Sequence, residues 1–290
     1  MRLFVSFLLI AASCFTPLTL NAQSDSIPLN KVALYGGIGY TASLTALSVG
    51  WYGENGFDRF KFFNDNAEWN QVDKLGHAFG TYQLTRISYD VLRKTELTDS
   101  QALLWSAGLS VALFLPIEIL DGFSPDYGFS YGDLIANAAG SGLFLGQELL
   151  WQEQRIKMKF SFHQTSYANI RPELLGENFL QQVLKDYNGQ TYWLSFDIYS
   201  FMKKSSFPKW LNLAAGYGAN EMVYARENEN NANGYSSYRQ YYLGLDFDFS
   251  YIQTDKRWLK TILYIADMIK WPAPALEISK NWVKGHLLYH

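Results

Sequence analysis

Two hydrophobic periods divide this chain. Up to about Trp151 the apolar residues come in long runs; from Ile156 onward they alternate with polar ones. Long runs predict helices, and alternation predicts strands with one buried face. The pattern predicts an α+β protein, with a leader over residues 1–22, a helical part over 30–155 and an antiparallel, strand-rich part over 156–290.

About four helices are expected. Val32–Gly53 holds 22 residues without a charge, long enough to cross a hydrocarbon core of roughly 30 Å. A second helix should run from Asp73 to Lys94, made polar by Arg86 and Asp90. Thr98 and Gln101 have capping-box spacing and open a third, ALLWSAGLSVALFLPIEIL, which Pro116 should kink or end. A fourth starts at Asp133, where Ala138, Gly142 and Gly146 predict a small-residue face for close backbone approach. The third and fourth hold only 17 and 14 uncharged residues. Membrane association is expected, as true spans or as a compact bundle at the membrane surface.

In the second half, YWLSFDIYSFM and YLGLDFDFSYI have strand period, the latter setting Leu243, Leu245, Phe247, Phe249 and Tyr251 against Gly244, Asp246, Asp248 and Ser250. IKMKFSFH, WLNLAAGYGANEMVYA and KGHLLYH are weaker strands, for five or six in all. RENENNANGYSS reads as a polar loop. DKRWLKTILYIADMIK, about 254–270, reads as an amphipathic helix stopped by Pro272 and Pro274. Two readings stand: a barrel-like sheet facing lipid, or an ordinary half-buried sheet.

Composition narrows the classes. A net charge of −3 argues against a nucleic-acid partner. Arg2, the run LFVSFLLIAA and the small residue Ala22 have the layout of a secretory signal, with cleavage expected near Ala22. The single cysteine lies within it, so lipidation at Cys14 ("IAASC") is the alternative. A chain cut after Ala22 has no thiol for disulfides or catalysis.

The candidate chemistry sits in a distributed polar set. Asp73 and His77 are one helical turn apart, where an acid can orient an imidazole for general-base work or metal ligation. Lys74 points away on a helix, towards another partner. Glu118 and Asp121 end the third apolar run, and Asp133 and Asn137 open the fourth. Acids beside apolar segments are costly unless they pair, so one shared pocket is expected. Each also has a purely structural reading, since Asp73 and Asp133 suit helix N-termini. No P-loop, nucleophile elbow or metal-type histidine spacing is present; cofactor, metal and oligomeric state stay unassigned.

The segments VDKLGHAFGTY and IEILDGFSPDYGFSYGDLIANAAGSGLFLG resemble the VanZ-like membrane family in their order D-K-x-x-H, E, D-x-x-x-N-x-x-G. FNDNAEWNQVDKLGHAFGTYQLTR more closely resembles the YfiM-like family of uncharacterised bacterial envelope proteins. Asp73, Lys74, His77, Glu118, Asp133, Asn137 and Gly140 match the shared pattern. VanZ-like proteins usually carry Gln where Asp121 stands and an Arg shortly before the Asp133 position; both are missing here. The resemblance implies a place in the bacterial envelope, at the outer membrane or its periplasmic face, and supplies no mechanism. Three roles are carried forward: a structural envelope component, a hydrolase or transferase acting on a lipid or cell-wall headgroup, and a module using Lys74 to bind a membrane lipid or wall fragment.

Overall fold

The computed structural model describes residues 26–52, 56–125, 127–202 and 206–289. The leader, with Cys14 and Ala22, lies outside the described residues. The chain forms two compact units. One takes in residues up to Asn66 and then Gly76–Gln152; the other combines Ala67–Leu75 with Glu153–His290.

The first unit is built on α1 (Leu29–Tyr52), most of α2 (Val72–Leu92), α3 (Asp99–Gly122) and α4 (Tyr131–Trp151). Leu84, Phe114 and Ile117 form a core, with Tyr40, Leu44 and Leu113 packed against it. The Thr98–Gln101 capping box opens α3. Pro116 does not end that helix, which continues to Gly122. A proline loosens the carbonyls one turn earlier, and the Tyr40 hydroxyl donates to the Leu113 carbonyl at 2.9 Å. Among the described residues, α3 is the helix long and apolar enough to cross a membrane; the expected span Val32–Gly53 lies partly outside them. The small-residue face expected of α4 is also corrected. Nothing crowds Gly142 or Gly146, whereas a side chain at Gly140 would overlap the Ala78 carbonyl of α2.

The second unit is a six-stranded antiparallel meander, β1 (Ile156–Phe162), β2 (Gln190–Phe196), β3 (Leu211–Asn220), β4 (Tyr238–Phe247), β5 (Ala273–Ser279) and β6 (Trp282–Tyr289), in sequential order. The sheet is open, so the barrel-like expectation fails in its closed form. Both long strands stop short of their alternating patterns. Asp197 and Asp248 accept hydrogen bonds from the backbone N–H groups of Ser200 and Ser250, turning the chain into helical turns. The supposed loop at 226–237 contains a short helix, α8 (Glu227–Ala232), counted after three others: α5 (Pro172–Leu175), α6 (Phe179–Lys185) and α7 (Ile198–Phe201). Buried Asn230 fastens it by accepting from Val223 N and Tyr224 N and donating to Glu221 O.

The amphipathic helix is α9 (Arg257–Ala266), shorter than expected because Met268–Lys270 pairs with Phe160 of β1 instead. Strand β5 was missed: Pro274 stands inside it, and a register shift between Ala273 and Ala275 absorbs the missing N–H.

Which face is buried reverses ordinary expectation. Lys157, Lys159, Ser195, Asn212 and Asp246 point inward, while Leu213, Leu243, Leu276 and Ile278 are exposed. Trp193 fills the interior above Gly216, where an added Cβ would lie 2.6 Å from the indole.

Candidate functional site

In the helical unit, His77 of α2 meets two other helices. Its Nδ1 lies 3.3 Å from Glu118 Oε1 of α3 and 3.3 Å from Asn137 Oδ1 of α4; its Nε2 lies 3.4 Å from Asp133 Oδ1 of α4. The local sequence explains the placement. Ser130 caps α4 and holds Asp133 in its first turn, with Asn137 one turn later on the same face. Gly140, a turn beyond Asn137, lets α4 close onto the α2 backbone. Thr85 donates to Ser141, which donates to the Ala107 carbonyl of α3, so a second polar link joins the same three helices.

Both imidazole nitrogens face oxygen acceptors, an arrangement that an imidazolium with two N–H donors satisfies. His77, Glu118, Asp133 and Asn137 are all sealed, at 5%, 1%, 5% and 0% exposure. The Asn137 Nδ2 finds no acceptor among the described residues. Imidazole and carboxylates are suitable donors for a divalent cation, and they could equally serve as a proton pair. Asp121, a turn beyond Glu118, is half-buried; burial pushes its carboxyl well above the usual carboxylate range, and the Asp133 charge adds to this.

Asp73 and Lys74 group with the sheet unit. Tyr187 donates to Asp73 Oδ1 at 2.6 Å, and Lys74 sits 3.1 Å from Asp73 Oδ2. Lys74 was expected to turn away from Asp73; its four-carbon stem lets the ammonium swing back to the adjacent acid. The turn before it is unusual. Trp69, Asn70 and Gln71 all have positive φ, of 49°, 48° and 63°. Sheet-unit contacts hold it: Trp69 N donates to Ala225 O, Tyr217 donates to Asn70 O, and Arg239 donates to Gln71.

The sheet interior also holds a charged cluster, which alternation alone does not mark as buried. Lys157 pairs with Asp248 at 2.7 Å and Asp267 at 3.0 Å; Lys159 pairs with Asp246 at 2.7 Å. Lys270 lies over Trp193, 5.0 Å from the ring centroid, and burial pulls its ammonium down to about 8. The available signal was the alternation itself, which puts Lys157 and Lys159 on one face of IKMKFSF.

Residues 61–145 match the model of one protein family, DUF2279, described as a predicted periplasmic lipoprotein. The match takes in the left-handed turn, His77, Glu118, Asp133, Asn137 and Gly140, and ends before the sheet. It supports a bacterial envelope protein, with no activity attached. No curated protein and no solved structure matches the chain.

Proposed function

We propose that this is a membrane-associated component of the bacterial envelope with a structural, envelope-maintenance role, in which His77, Glu118, Asp133 and Asn137 lock three helices together. The observation that carries this reading is the sealing of all four side chains. A hydrolase or transferase would need His77 open to a substrate, and a lipid-binding Lys74 would not be engaged by Asp73. The YfiM-like and VanZ-like resemblances favour the outer membrane or its periplasmic face. The lipoprotein description of the matched family weights the leader towards lipidation at Cys14 over cleavage after Ala22. Acyl labelling lost in Cys14→Ser is the expected result; a mature chain beginning at Gln23 would speak for cleavage.

His77→Ala tests the lock. It removes the imidazole that touches Glu118, Asp133 and Asn137 on two other helices and leaves a void in a sealed site, and should lower the melting temperature and the amount of protein in the envelope. A His77→Ala chain as stable as the parent but defective in the cell would favour the enzymatic reading.

A further inference from the structure

The sheet unit has its polarity reversed. Its interior holds Lys157, Lys159, Asp246, Asp248 and Asp267 in mutual ion pairs. Its outer face presents leucines: Leu243 is 55% and Leu276 51% exposed. A protein meeting only water gains nothing from this arrangement, since exposed apolar patches beyond a few hundred Å² are rare on soluble monomers. Strands facing lipid follow it as a rule, apolar outward and polar inward.

Three further features suit the same occupant. Helix α9 exposes Trp258, Ile262 and Ile265 on one face, Trp258 at 61%. Lys256, just before the helix, and Lys260 are exposed beside this face and can meet anionic headgroups. The stretch joining α9 to β5 exposes Ile269 and Trp271, and tryptophan favours the membrane–water interface. The outer face also contains a cavity of about 580 Å³ lined by Leu213, Leu243, Leu245, Leu276 and Leu287. Its size falls within the range of ligand sites, about 300–1,000 Å³.

We infer that the leucine face of the β1–β6 sheet, together with the Trp258–Ile262–Ile265 face of α9, seats in one leaflet of a bilayer containing anionic lipid. The sheet does not cross: an open sheet has edge N–H and C=O groups that the hydrocarbon core cannot satisfy. This deepens the membrane association proposed above by naming the surface responsible, and it does not depend on the helical lock.

The test uses the full chain with Cys14→Ser, so that an introduced cysteine is the sole thiol. Nitroxide labels go singly at Leu243→Cys, Leu276→Cys and Ile262→Cys, with Glu229→Cys as the aqueous reference. Vesicles of phosphatidylcholine and phosphatidylglycerol at 3:1 should make the first three labels more accessible to oxygen than to a water-soluble nickel reagent, with the reverse at position 229. A Leu243→Asn/Leu276→Asn/Ile262→Asn chain should float with vesicles at least tenfold less than the parent, with an unchanged circular dichroism spectrum. If that chain fails to fold, the single-label depths decide. A parent that floats with water-exposed labels at 243, 276 and 262 overturns the inference and leaves membrane association through another surface. A parent that does not float overturns the inference and leaves membrane association to an acyl group on Cys14, which flotation of the chain with Cys14 intact then tests. A dimer in solution with those labels in mutual contact assigns the face to a second copy and overturns it too.

Discussion

The Lys159 ammonium and the Asp246 carboxylate meet at 2.7 Å with both side chains fully withdrawn from water. Ser195 also donates to Asp246, Asn212 donates to Ser195, and Lys159 donates to the Phe247 carbonyl, so the pair joins β1 to β4 across the interior. Two charges out of water are tolerable only as a set. Removing one partner typically costs about 3–5 kcal/mol, while replacing both with apolar groups can be neutral. Asp246→Ala should therefore unfold at much lower urea concentration than the parent. Lys159→Met/Asp246→Leu should recover most of the loss. A single variant as stable as the parent would show that the pair is not buried in solution.

Lys270 gives the sheet unit a pH dependence with an unusual sign. Burial depresses its ammonium to about 8 and the nearby Lys159 charge adds to this, against a partial counterweight from Asp246. The unfolded chain, with lysine near its ordinary value, then holds more protons than the folded one between about pH 8 and 10.5. Stability rises with pH across that interval. Above about pH 10 the buried tyrosines Tyr192 and Tyr242, whose hydroxyls are pushed up by burial, oppose the trend. Denaturant midpoints should therefore climb from pH 7.5 to 9.5, and Lys270→Met should flatten that climb. A parent midpoint that falls over this range would contradict the assignment.

The left-handed turn before α2 can be tested at Asn70. Asparagine tolerates positive φ better than most residues, glycine tolerates it fully, and a β-branched side chain does not. Tyr217 contacts the Asn70 main chain, an interaction that substitution leaves in place. Asn70→Gly should match or slightly exceed the parent in melting temperature, and Asn70→Val should lose roughly 1–2 kcal/mol. Equal stability of the two variants would mean that the turn relaxes in solution.

How far the sequence announced these features depended on whether the signal was local. The Thr98–Gln101 cap and the apolar runs of α1, α3 and α4 need only neighbouring residues, and they are legible. The candidate set at His77, Glu118, Asp133 and Asn137 was legible as polar groups interrupting apolar runs. What period could not show was which face of β4 is buried, because alternation is symmetric: Leu243 and Asp246 exchange roles if the surroundings are lipid. Side-chain caps likewise defeat strand period, as Asp197 and Asp248 do by ending β2 and β4 within alternating sequence. Pro274 disguised β5 because the bulge that accommodates it depends on the register with β6.

The glycines of α4 offer the sharpest contrast between spacing and structure. Gly142 and Gly146 carry the four-residue repeat of a close-packing helix, yet a Cβ at either meets nothing within 4 Å, while at Gly140 it would overlap the Ala78 carbonyl and lie 2.5 Å from Thr81 Oγ1. Glycine inside a helix costs about 1 kcal/mol relative to alanine, so Gly142→Ala and Gly146→Ala should hold or raise stability. Gly140→Ala must push α4 away from α2, which would also stretch the Asn137 and Asp133 contacts to His77. Its cost should exceed the helix-propensity gain, giving a net loss of roughly 1–3 kcal/mol as overpacking does elsewhere. Thermal melts of the three variants distinguish the two views: a greater loss at Gly142 or Gly146 than at Gly140 would restore the small-residue face and remove Gly140 from the contact that brings the polar set together.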